Sequence, residues 1–327
     1  MRELLESAGR RPAVPAEDLA AIKAAARSEW QELVAAGRKR RLKLRRSVII
    51  ALAASLILAV AIWRWKPGAS PAVSGSIATV QLLKGEIRVE GPPGHRVLAV
   101  GDSLAAGSVL ATEQGASPAL VALHLAGGES VRLDSHTRVR LVSRARLDLM
   151  AGALYVDSGR PASGGSLEIR TPFGSVRDVG TQFEVRLGRE GDPALRVRVR
   201  EGMVALVRHG GTDSVAKGEE LRLRRDGRAS RATIEPQGAA WSWVLAAAPS
   251  LDIEGVRLSD YLGWVSRETA WRLRYEDEAL AELAAGIRLH GSIEGLAPDE
   301  SVSVVMPGSG LGYRVEGTTL LVTRTRS

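Results

Sequence analysis

Short runs of alternating apolar and polar residues fill residues 77–235, and this pattern most limits what the chain can fold into. Successive side chains of a β-strand point to opposite faces of a sheet, so alternation is typical of strands with one buried face. Glycine-rich turn signals separate the runs every 8–12 residues or so, and no long helical pattern interrupts them. We predict an all-β sandwich or a coiled β-sheet. The predicted strands are 86–90, 119–125, 130–133, 138–142, 153–156, 167–170, 183–187, 195–200 and 204–207.

Arginines occupy many of the polar positions in these runs, as in Val131-Arg-Leu, Val139-Arg-Leu and Val197-Arg-Val. The net charge of +8 and the pI of about 10.2 suggest nucleic-acid binding at first. However, the first 46 residues hold 12 basic and 6 acidic residues, which supply six of the eight charges. The alternating arginines then read as the solvated face of a sheet. We predict no nucleic-acid partner.

Residues 47–63 contain neither a charged residue nor a proline, and seven of the nine residues before them, 38–46, are Lys or Arg. A membrane-spanning helix needs about 17–25 apolar residues. Basic flanks stay in the cytoplasm, and Trp63 and Trp65 suit an interfacial belt. We predict a single-pass inner-membrane protein with its N-terminus in the cytoplasm and its C-terminal domains in the periplasm. The alternatives are a cleaved signal peptide and a buried core helix.

Residues 16–36 are predicted to form an amphipathic helix that Gly37 ends. One such helix cannot bury its own apolar stripe, so it packs on the membrane surface, on itself or on a partner. A juxtamembrane helix without a specific partner remains an alternative. The stripe is our candidate cytoplasmic partner-binding site and consists of Leu19, Ile22, Trp30 and Leu33.

The pattern changes after Pro236, where strand and helix signals mix. We predict strands at 251–255, 271–275, 287–293 and 313–322, and a helix at 258–269 with Ser259 as its N-cap. Residues 298–306 fit either state. This indicates a small α+β domain. The predicted organisation is a cytoplasmic segment (1–46), a transmembrane helix (47–63), a linker (64–76), an all-β domain (77–235) and an α+β domain (236–327).

Catalytic and metal-binding motifs are missing from the sequence. It has no cysteine, which excludes disulfides and thiolate sites. The five histidines lack metal-site spacing, although His124 and His136 lie in predicted neighbouring strands. Residues 308–312, GSGLG, precede a predicted strand instead of a helix, so they read as a turn. We predict neither enzymatic activity nor a cofactor or metal.

The segment Thr171-Pro-Phe-Gly174, followed by Val179-Gly-Thr-Gln-Phe-Glu-Val185, resembles the signature of the FecR family. Gly128-Glu-Ser-Val-Arg-Leu133, Leu149-Met-Ala-Gly-Ala-Leu-Tyr155, a "Gly-x-Val" hairpin at Arg200-Glu-Gly-Met-Val204 and a closing turn at Lys217-Gly-Glu-Glu-Leu221 agree with it, in order, over 85–225. The family comprises single-pass inner-membrane regulators of iron-uptake signalling. The matching residues read as structural, with Phe183 in a core. They are Gly128, Gly152, Thr171, Pro172, Gly174, Gly180, Thr181, Phe183, Gly202 and Gly218.

The last 75 residues resemble a second family, the secretin and TonB short N-terminal (STN) domain. The matching residues are Leu251-Asp-Ile-Glu-Gly255, Leu258, Leu262 and Val265, Leu289-His-Gly-Ser292 and Gly310-Leu-Gly-Tyr313. This resemblance implies a small βαβ-type fold that makes protein–protein contacts in the periplasm. An outer-membrane TonB-dependent transducer is the partner that it suggests.

Two functional hypotheses follow. In the first, the periplasmic part receives a protein signal, and the cytoplasmic segment relays it to a sigma factor or another regulator, as in FecR-type anti-sigma factors. In the second, the protein is a membrane-anchored periplasmic binding or scaffold protein of the cell envelope without anti-sigma activity. The cytoplasmic segment bears on this choice, because FecR-type regulators usually have a longer one with several tryptophans, whereas here 46 residues contain only Trp30.

Overall fold

A computed structural model of the chain describes residues 75–90, 96–113, 117–159, 166–178 and 180–325. Residues 76–233 form a sandwich of two nine-stranded β-sheets, which we name sheet A and sheet B. The strands are β1 (Ser76–Lys84), β2 (Ile87–Glu90), β3 (Arg96–Val97), β4 (Ser103–Ala105), β5 (Val109–Thr112), β6 (Leu120–Leu125), β7 (Ser130–Leu133), β8 (Arg138–Ser143), β9 (Arg146–Ala151), β10 (Ala153–Asp157), β11 (Glu168–Thr171), β12 (Gly174–Asp178), β13 (Gln182–Leu187), β14 (Leu195–Glu201), β15 (Met203–Arg208), β16 (Gly211–Ala216), β17 (Glu219–Leu223) and β18 (Ala229–Thr233).

The chain coils between the two sheets as it proceeds. Sheet A has the order β18-β17-β14-β13-β10-β7-β6-β1-β4, and sheet B has the order β16-β15-β12-β11-β9-β8-β5-β2-β3. Most pairs are antiparallel, whereas β9 and β11 pair in parallel. Hairpins therefore alternate between sheets, and tight corners carry the chain from one sheet to the other. The topology agrees with the predicted fold class, because the strands form a β-sandwich and the chain coils between its two sheets.

Aliphatic side chains from both sheets fill the space between them. Val131, Leu154, Val185 and Val197 are fully buried in this core, together with Phe183. Removing such side chains from water is worth about 1.5–3 kcal/mol each. All nine predicted strands are confirmed, and each agrees with the observed strand to within one residue at both ends.

The segment after the sandwich folds into an α+β unit, which we name the C-terminal module. Its three-stranded sheet has the order β19-β21-β20, with β19 parallel to β21, and helices pack on it around a second apolar core. Its elements are a 3₁₀ turn (Ala239–Trp241), α1 (Ser242–Ala246), α2 (Leu258–Thr269), β19 (Arg272–Tyr275), α3 (Glu278–Gly286), α4 (Pro298–Gly308), β20 (Leu311–Glu316) and β21 (Thr319–Arg324).

Three predicted strands of the module are wrong. Residues 313–322 are predicted as one strand, but a turn at 317–318 divides them between β20 and β21, which pair as an antiparallel hairpin. Residues 251–255 are irregular and end in a turn at Gly255, where φ is +72°. Residues 287–293 contribute only an isolated bridge between Arg257 and Arg288. Their apolar residues Ile253, Leu289 and Ile293 are buried in the core of the module without a strand ladder. These segments bury apolar side chains at intervals that resemble a strand, although their backbones do not pair with a neighbouring strand.

The helices of the module correct three further expectations. Helix α2 has its predicted bounds, but it begins at Leu258 after Arg257, so Ser259 lies inside its first turn and is not the N-cap. Helix α3 was not predicted, although Asp277 caps it by accepting a hydrogen bond from Leu280 N at 2.9 Å. The ambiguous residues 298–306 belong to α4, where tertiary packing outweighed the β-propensity of its valines.

The sandwich and the module lie in one compact unit, Ala69–Ser327. Within the residues that the structure describes, no helix is both long and apolar enough to cross a membrane. The predicted transmembrane helix (47–63), the predicted cytoplasmic helix (16–36) and most of the linker lie outside the described residues.

Candidate functional site at the seam between the sandwich and the C-terminal module

The outer face of sheet A is rich in charged residues. Alternation along its strands turns aliphatic residues inward and these charged residues outward. The cross-strand register places Tyr155 beside Arg132 on one side and Glu184 on the other. The strands contribute six arginines and three carboxylates to this face: Arg132, Arg186, Arg196, Arg198, Arg200, Arg222, Asp157, Glu184 and Glu220.

The C-terminal module covers part of this face through a polar contact that we name the seam. It consists of Arg132, Asp157, Gln182 and Arg200 from the sandwich, and Arg267 and Glu268 from the end of α2. Residues 110 or more positions apart in sequence meet here, as in the pairs Arg132–Glu268 and Asp157–Arg267. The seam therefore joins two parts of the chain that have separate apolar cores.

Arg132 and Glu268 form the central ion pair of the seam. One guanidinium nitrogen, Nη2, donates to both carboxylate oxygens of Glu268 at 2.8 and 2.7 Å, and Nη1 donates to Val244 O at 2.9 Å. The exposed fractions of the two side chains are only 1% and 9%. Burial by itself lowers the pKa of Arg132, but Glu268 outweighs it and the pKa is raised. Arg132 is therefore a buried cation whose charge is compensated by the carboxylate of Glu268.

Arg200 binds the carboxyl end of helix α2. Its Nη1 donates to Glu268 O at 2.8 Å, and its Nε donates to Pro236 O at 2.7 Å. The guanidinium lies 5.3 Å from the centre of the Trp241 ring, within cation–π range. A cation at this position also complements the negative end of the helix dipole. Arg200 thus fixes where α2 ends on the sandwich.

Asp157 forms the second ion pair of the seam, with Arg267. Arg267 Nε donates to Asp157 Oδ2 at 3.0 Å, and its Nη2 contacts Oδ1. Gln182 Nε2 donates to Asp157 Oδ2 at 2.8 Å and to Arg267 O at 3.3 Å. Burial raises the pKa of Asp157, but the hydrogen bonds and charge of Arg267 prevail, so the pKa lies below its ordinary value.

Helix α2 ends at the seam in an unusual backbone conformation. Ala270 has φ +59°, in the left-handed region that disfavours residues with a Cβ by roughly 1 kcal/mol or more. Gln237 Nε2 donates to Ala270 O at 2.7 Å and so holds this turn from the sandwich side of the module. Gln237 thereby constrains the backbone next to the seam, where α2 ends.

Charged groups and hydrogen bonds hold the end of α2 against sheet A at the seam. Burial raises the pKa of Tyr155 to about 12, so its hydroxyl stays protonated at neutral pH. The ionised groups are paired with each other or with backbone carbonyls. Among the described residues, no group of three or more His, Asp or Glu could hold a metal ion. His124 lies in β6 opposite Ser130, and His136 lies in the corner after β7.

Four of the ten signature residues are glycines at corners between the sheets: Gly152, Gly180, Gly202 and Gly218 all have φ between +77° and +80°. A Cβ on Gly202 would lie 2.5 Å from Thr181 Cγ2 and 2.9 Å from Gly180 O, so two signature segments touch here. Gly202 connects β14 of sheet A to β15 of sheet B. The expected hairpin at 200–204 is therefore wrong, because the two strands belong to different sheets.

The other signature residues build hairpin turns or the core. Gly128 lies between β6 and β7, Pro172 lies in the turn between β11 and β12, and Gly174 is the first residue of β12. Thr171 Oγ1 donates to Gly174 O at 2.8 Å. Thr181 N donates to Ser158 Oγ at 2.7 Å. Phe183 has no exposed surface. None of these residues presents a reactive group.

An open cleft of about 930 Å³ lies beside α1 on the sandwich. Two signature residues, Gly152 and Pro172, line it together with Trp243 of α1. Arg186 lies 5.8 Å from the Trp243 ring and pairs with Asp134 at 2.6 Å. The cleft therefore combines apolar walls with a charged pair.

The predicted cytoplasmic residues Leu19, Ile22, Trp30 and Leu33 lie outside the described residues, so their role stays a prediction. The sequence does not predict the seam. Its alternating arginines indicate the solvated face of a sheet, and most arginines of sheet B are indeed exposed, but Arg132 and Arg200 are buried. The only available signal was a carboxylate, Glu268, on the otherwise buried side of a predicted amphipathic helix.

No curated protein matches the chain. Two crystal structures, both described as a "putative anti-sigma factor" from Parabacteroides distasonis, are 16% and 15% identical to it. In each case the alignment covers 67% of this chain and 99% of the other, with a TM-score of 0.36. Residues 108–205, which hold all the signature residues except Gly218, match the family model described as FecR protein.

Proposed function

We propose that the protein is a FecR-type regulator that spans the bacterial inner membrane once. The observation that carries this proposal is the match of residues 108–205 to the FecR family model, which falls on the centre of the coiled sandwich. In this proposal residues 1–46 are cytoplasmic, 47–63 cross the membrane, and the sandwich and module are periplasmic. The function is transmission of a protein-borne signal rather than catalysis.

The seam supports this proposal because a relay needs its receiving parts to move as one. The buried ion pair Arg132–Glu268, the partly exposed pair Asp157–Arg267 and the hydrogen bonds of Arg200 connect the end of α2 to sheet A. Removing one partner of a buried ion pair costs about 3–5 kcal/mol, so these contacts resist separation. A partner that bound the module would therefore act on the sandwich through the seam.

The partner on the periplasmic side, in this proposal, binds the C-terminal module. Its α+β architecture is compatible with the STN-like resemblance of residues 251–313. An outer-membrane TonB-dependent transducer is the partner class that this resemblance implies, and it links the protein to iron-responsive cell-surface signalling. Both statements belong to the proposal.

The partner on the cytoplasmic side is a sigma factor or another regulator. The stripe formed by Leu19, Ile22, Trp30 and Leu33 would supply the anchors, as an amphipathic helix does in a partner's groove. Trp30 is the largest of them, and aromatic anchors dominate the energy of such interfaces. We therefore expect Trp30 to be the most sensitive position.

The test is to crosslink the membrane-inserted chain in its native cytoplasm and to identify the partners of residues 1–46 by mass spectrometry. We expect a sigma factor or another regulator, and its loss in Trp30→Ala. Ser28→Ala is the matched control. Ser28 follows Leu19 by nine residues, and at roughly 100° per residue this spacing places it on the opposite side of the predicted helix. If Trp30→Ala recovers the same cytoplasmic partner in the same amount, the stripe is not the partner-binding site.

The second candidate function is a periplasmic binding or scaffold protein of the cell envelope. The presence of one tryptophan, Trp30, among residues 1–46 favours it. Recovery of envelope proteins alone, unaffected by deletion of residues 2–36, would support the scaffold and exclude the regulator.

A further inference from the structure

The outer face of sheet B carries as many arginines as that of sheet A. Its strands contribute six arginines and three carboxylates, and it has no lysine. In contrast to sheet A, the ion pairs described on this face join residues of sheet B to one another. The charged residues are Arg88, Arg138, Arg140, Arg146, Arg170, Arg177, Glu90, Asp148 and Glu168.

On sheet A the C-terminal segment supplies the acceptors that the arginines lack. Arg132 receives the carboxylate of Glu268 and the carbonyl of Val244, and Arg200 receives the carbonyls of Glu268 and Pro236. On sheet B five of the six arginines are exposed. The ion pairs present there are Arg138–Glu90, Arg170–Glu168 and Arg177–Glu168. Arg140, in the middle of the face, is exposed beside Asp148, which also neighbours Arg170 in the register.

The shape and composition of this face suit a flat, anionic surface. Between the arginines the register places small residues such as Ala111, Ser175 and Ala205, so no bulky side chain protrudes from the middle of the sheet. Met150 and Met203 lie on the same face, exposed by 37% and 50%. A guanidinium is planar and binds phosphate bidentately, which an ammonium cannot do.

We propose that the outer face of sheet B lies on the anionic phospholipid headgroups of the membrane in which the protein is anchored. This rests on the proposed single-pass topology, since residues 64–75 would tether the sandwich within at most about 40 Å of the bilayer. The arginines pair with lipid phosphates, and Met150 and Met203 contact the interface. Sheet A and the C-terminal module then face away from the membrane and stay accessible to a protein partner.

The expected strength follows from the net charge of the face, six minus three, or +3. Each cationic side chain near an anionic leaflet gains roughly fivefold in partitioning, so three net charges give on the order of 100-fold over a neutral bilayer. The attraction falls off within a Debye length, which shrinks to roughly 3 Å at about 1 M salt. High salt should therefore release the sandwich from the surface.

The test uses the full chain in nanodiscs, with a label whose distance from the bilayer is read by quenching from nitroxide-labelled lipid. The absence of native cysteine makes single-site labelling clean. Ser214→Cys places the label on β16, the edge strand of sheet B, and Ser230→Cys places it on β18, the edge strand of sheet A. Both serines are exposed.

We expect strong quenching at position 214 in phosphatidylglycerol-containing nanodiscs, little in pure phosphatidylcholine, and little at position 230 in either. Arg140→Glu with Arg170→Glu, which leaves four arginines against five carboxylates, should abolish it. The matched control, Arg224→Glu with Arg228→Glu in the exposed β17–β18 turn, should not. If the charge-reversed chain misfolds, release of the unmodified chain at about 1 M NaCl tests the same attraction.

Equal quenching at position 214 in both lipids, or quenching that survives Arg140→Glu with Arg170→Glu, would overturn the proposal. Proximity that requires two copies in one nanodisc would assign the face to a second copy instead and would also overturn it. A chain that fails to insert into the bilayer contradicts the proposed topology, but it does not test whether the outer face of sheet B binds anionic headgroups. In that case the same labelled chain is added to preformed vesicles, where position 214 must still approach phosphatidylglycerol.

Discussion

The two outer faces of the sandwich carry equal numbers of arginines, but these arginines differ in burial. The strands contribute six arginines to each outer face. On sheet A the C-terminal module covers Arg132 and Arg200, and Glu184 and Glu220 are buried beneath neighbouring arginines. On sheet B most of the arginines remain in water. The contribution of an alternating arginine to stability therefore depends on whether another segment covers its sheet. An exposed ion pair contributes little to the free energy of unfolding, whereas loss of one partner of a buried ion pair is strongly destabilising.

The largest effect is expected from breaking the central ion pair. Glu268→Ala leaves the buried guanidinium of Arg132 without its carboxylate and should lower the free energy of unfolding by about 3–5 kcal/mol. The measurement is urea denaturation followed by tryptophan fluorescence, since Trp241 is buried at the seam. Glu282→Ala, on the exposed side of α3, is the control and should change little.

A double substitution sharpens this prediction. Arg132→Leu together with Glu268→Leu removes both charges at once, and we expect it to regain most of the lost stability. If Glu268→Ala and Glu282→Ala gave the same urea midpoint, the seam would not stabilise the contact between sandwich and module.

The next effect concerns the corners that join the two sheets. Gly202→Ala forces a Cβ to within 2.5 Å of Thr181 Cγ2 at φ +80°, and we expect it to destabilise by roughly 2–3 kcal/mol. Gly227→Ala shares the conformation, φ +84°, but meets nothing within 4 Å, so it should cost only about 1 kcal/mol. Equal losses in thermal or urea denaturation would show that the close packing of this corner contributes nothing.

Asp157 connects the comparison to pH. Because its pKa in the folded protein is depressed below the ordinary value of 3.8, it contributes stability above that value, and this contribution is lost as pH falls through the folded pKa. Asp157→Asn should therefore cost about 1–2 kcal/mol at pH 7, with partial exposure of Arg267 limiting the loss. The difference between the two proteins should shrink below about pH 4 in urea denaturation. A difference independent of pH would contradict the assignment.

The smallest effect is expected on sheet B. Arg138 pairs with Glu90 at 2.7 Å, but their side chains are 45% and 39% exposed, so Arg138→Gln should change stability by about 0.5 kcal/mol or less. The same substitution at Arg200 removes buried hydrogen bonds to two carbonyls and should cost about 2–3 kcal/mol. Similar values at both positions, measured by urea denaturation, would break the comparison between the faces.

Much of the sandwich could be predicted from the sequence. Period-two alternation is a local property, and each of the nine predicted runs became a strand because one of its faces is buried. The module was harder. Residues 287–293 bury alternate apolar side chains without pairing, and α3 is too short for a clear amphipathic pattern, although Asp277 followed by Glu278 is a start signal.

The candidate site could not be predicted in the same way. The partner of Arg132 lies 136 residues away, and nothing local distinguishes Arg132 from the exposed Arg140, since both occupy alternating positions in short strands. The corner glycines were found because a resemblance pointed to them. That resemblance did not reveal that Gly202 joins two sheets instead of turning a hairpin.

The sequence by itself determined the periodicity, and hence the strands, the turns and the aliphatic core between the sheets. It also determined that arginines alternate with aliphatic residues along many of these strands. Only the tertiary structure decided which of these arginines are buried. Alternation specifies that a residue points outward from its own sheet, whereas burial depends on whether a distant segment, here the end of α2, packs against that face and supplies the acceptors that a desolvated charge requires.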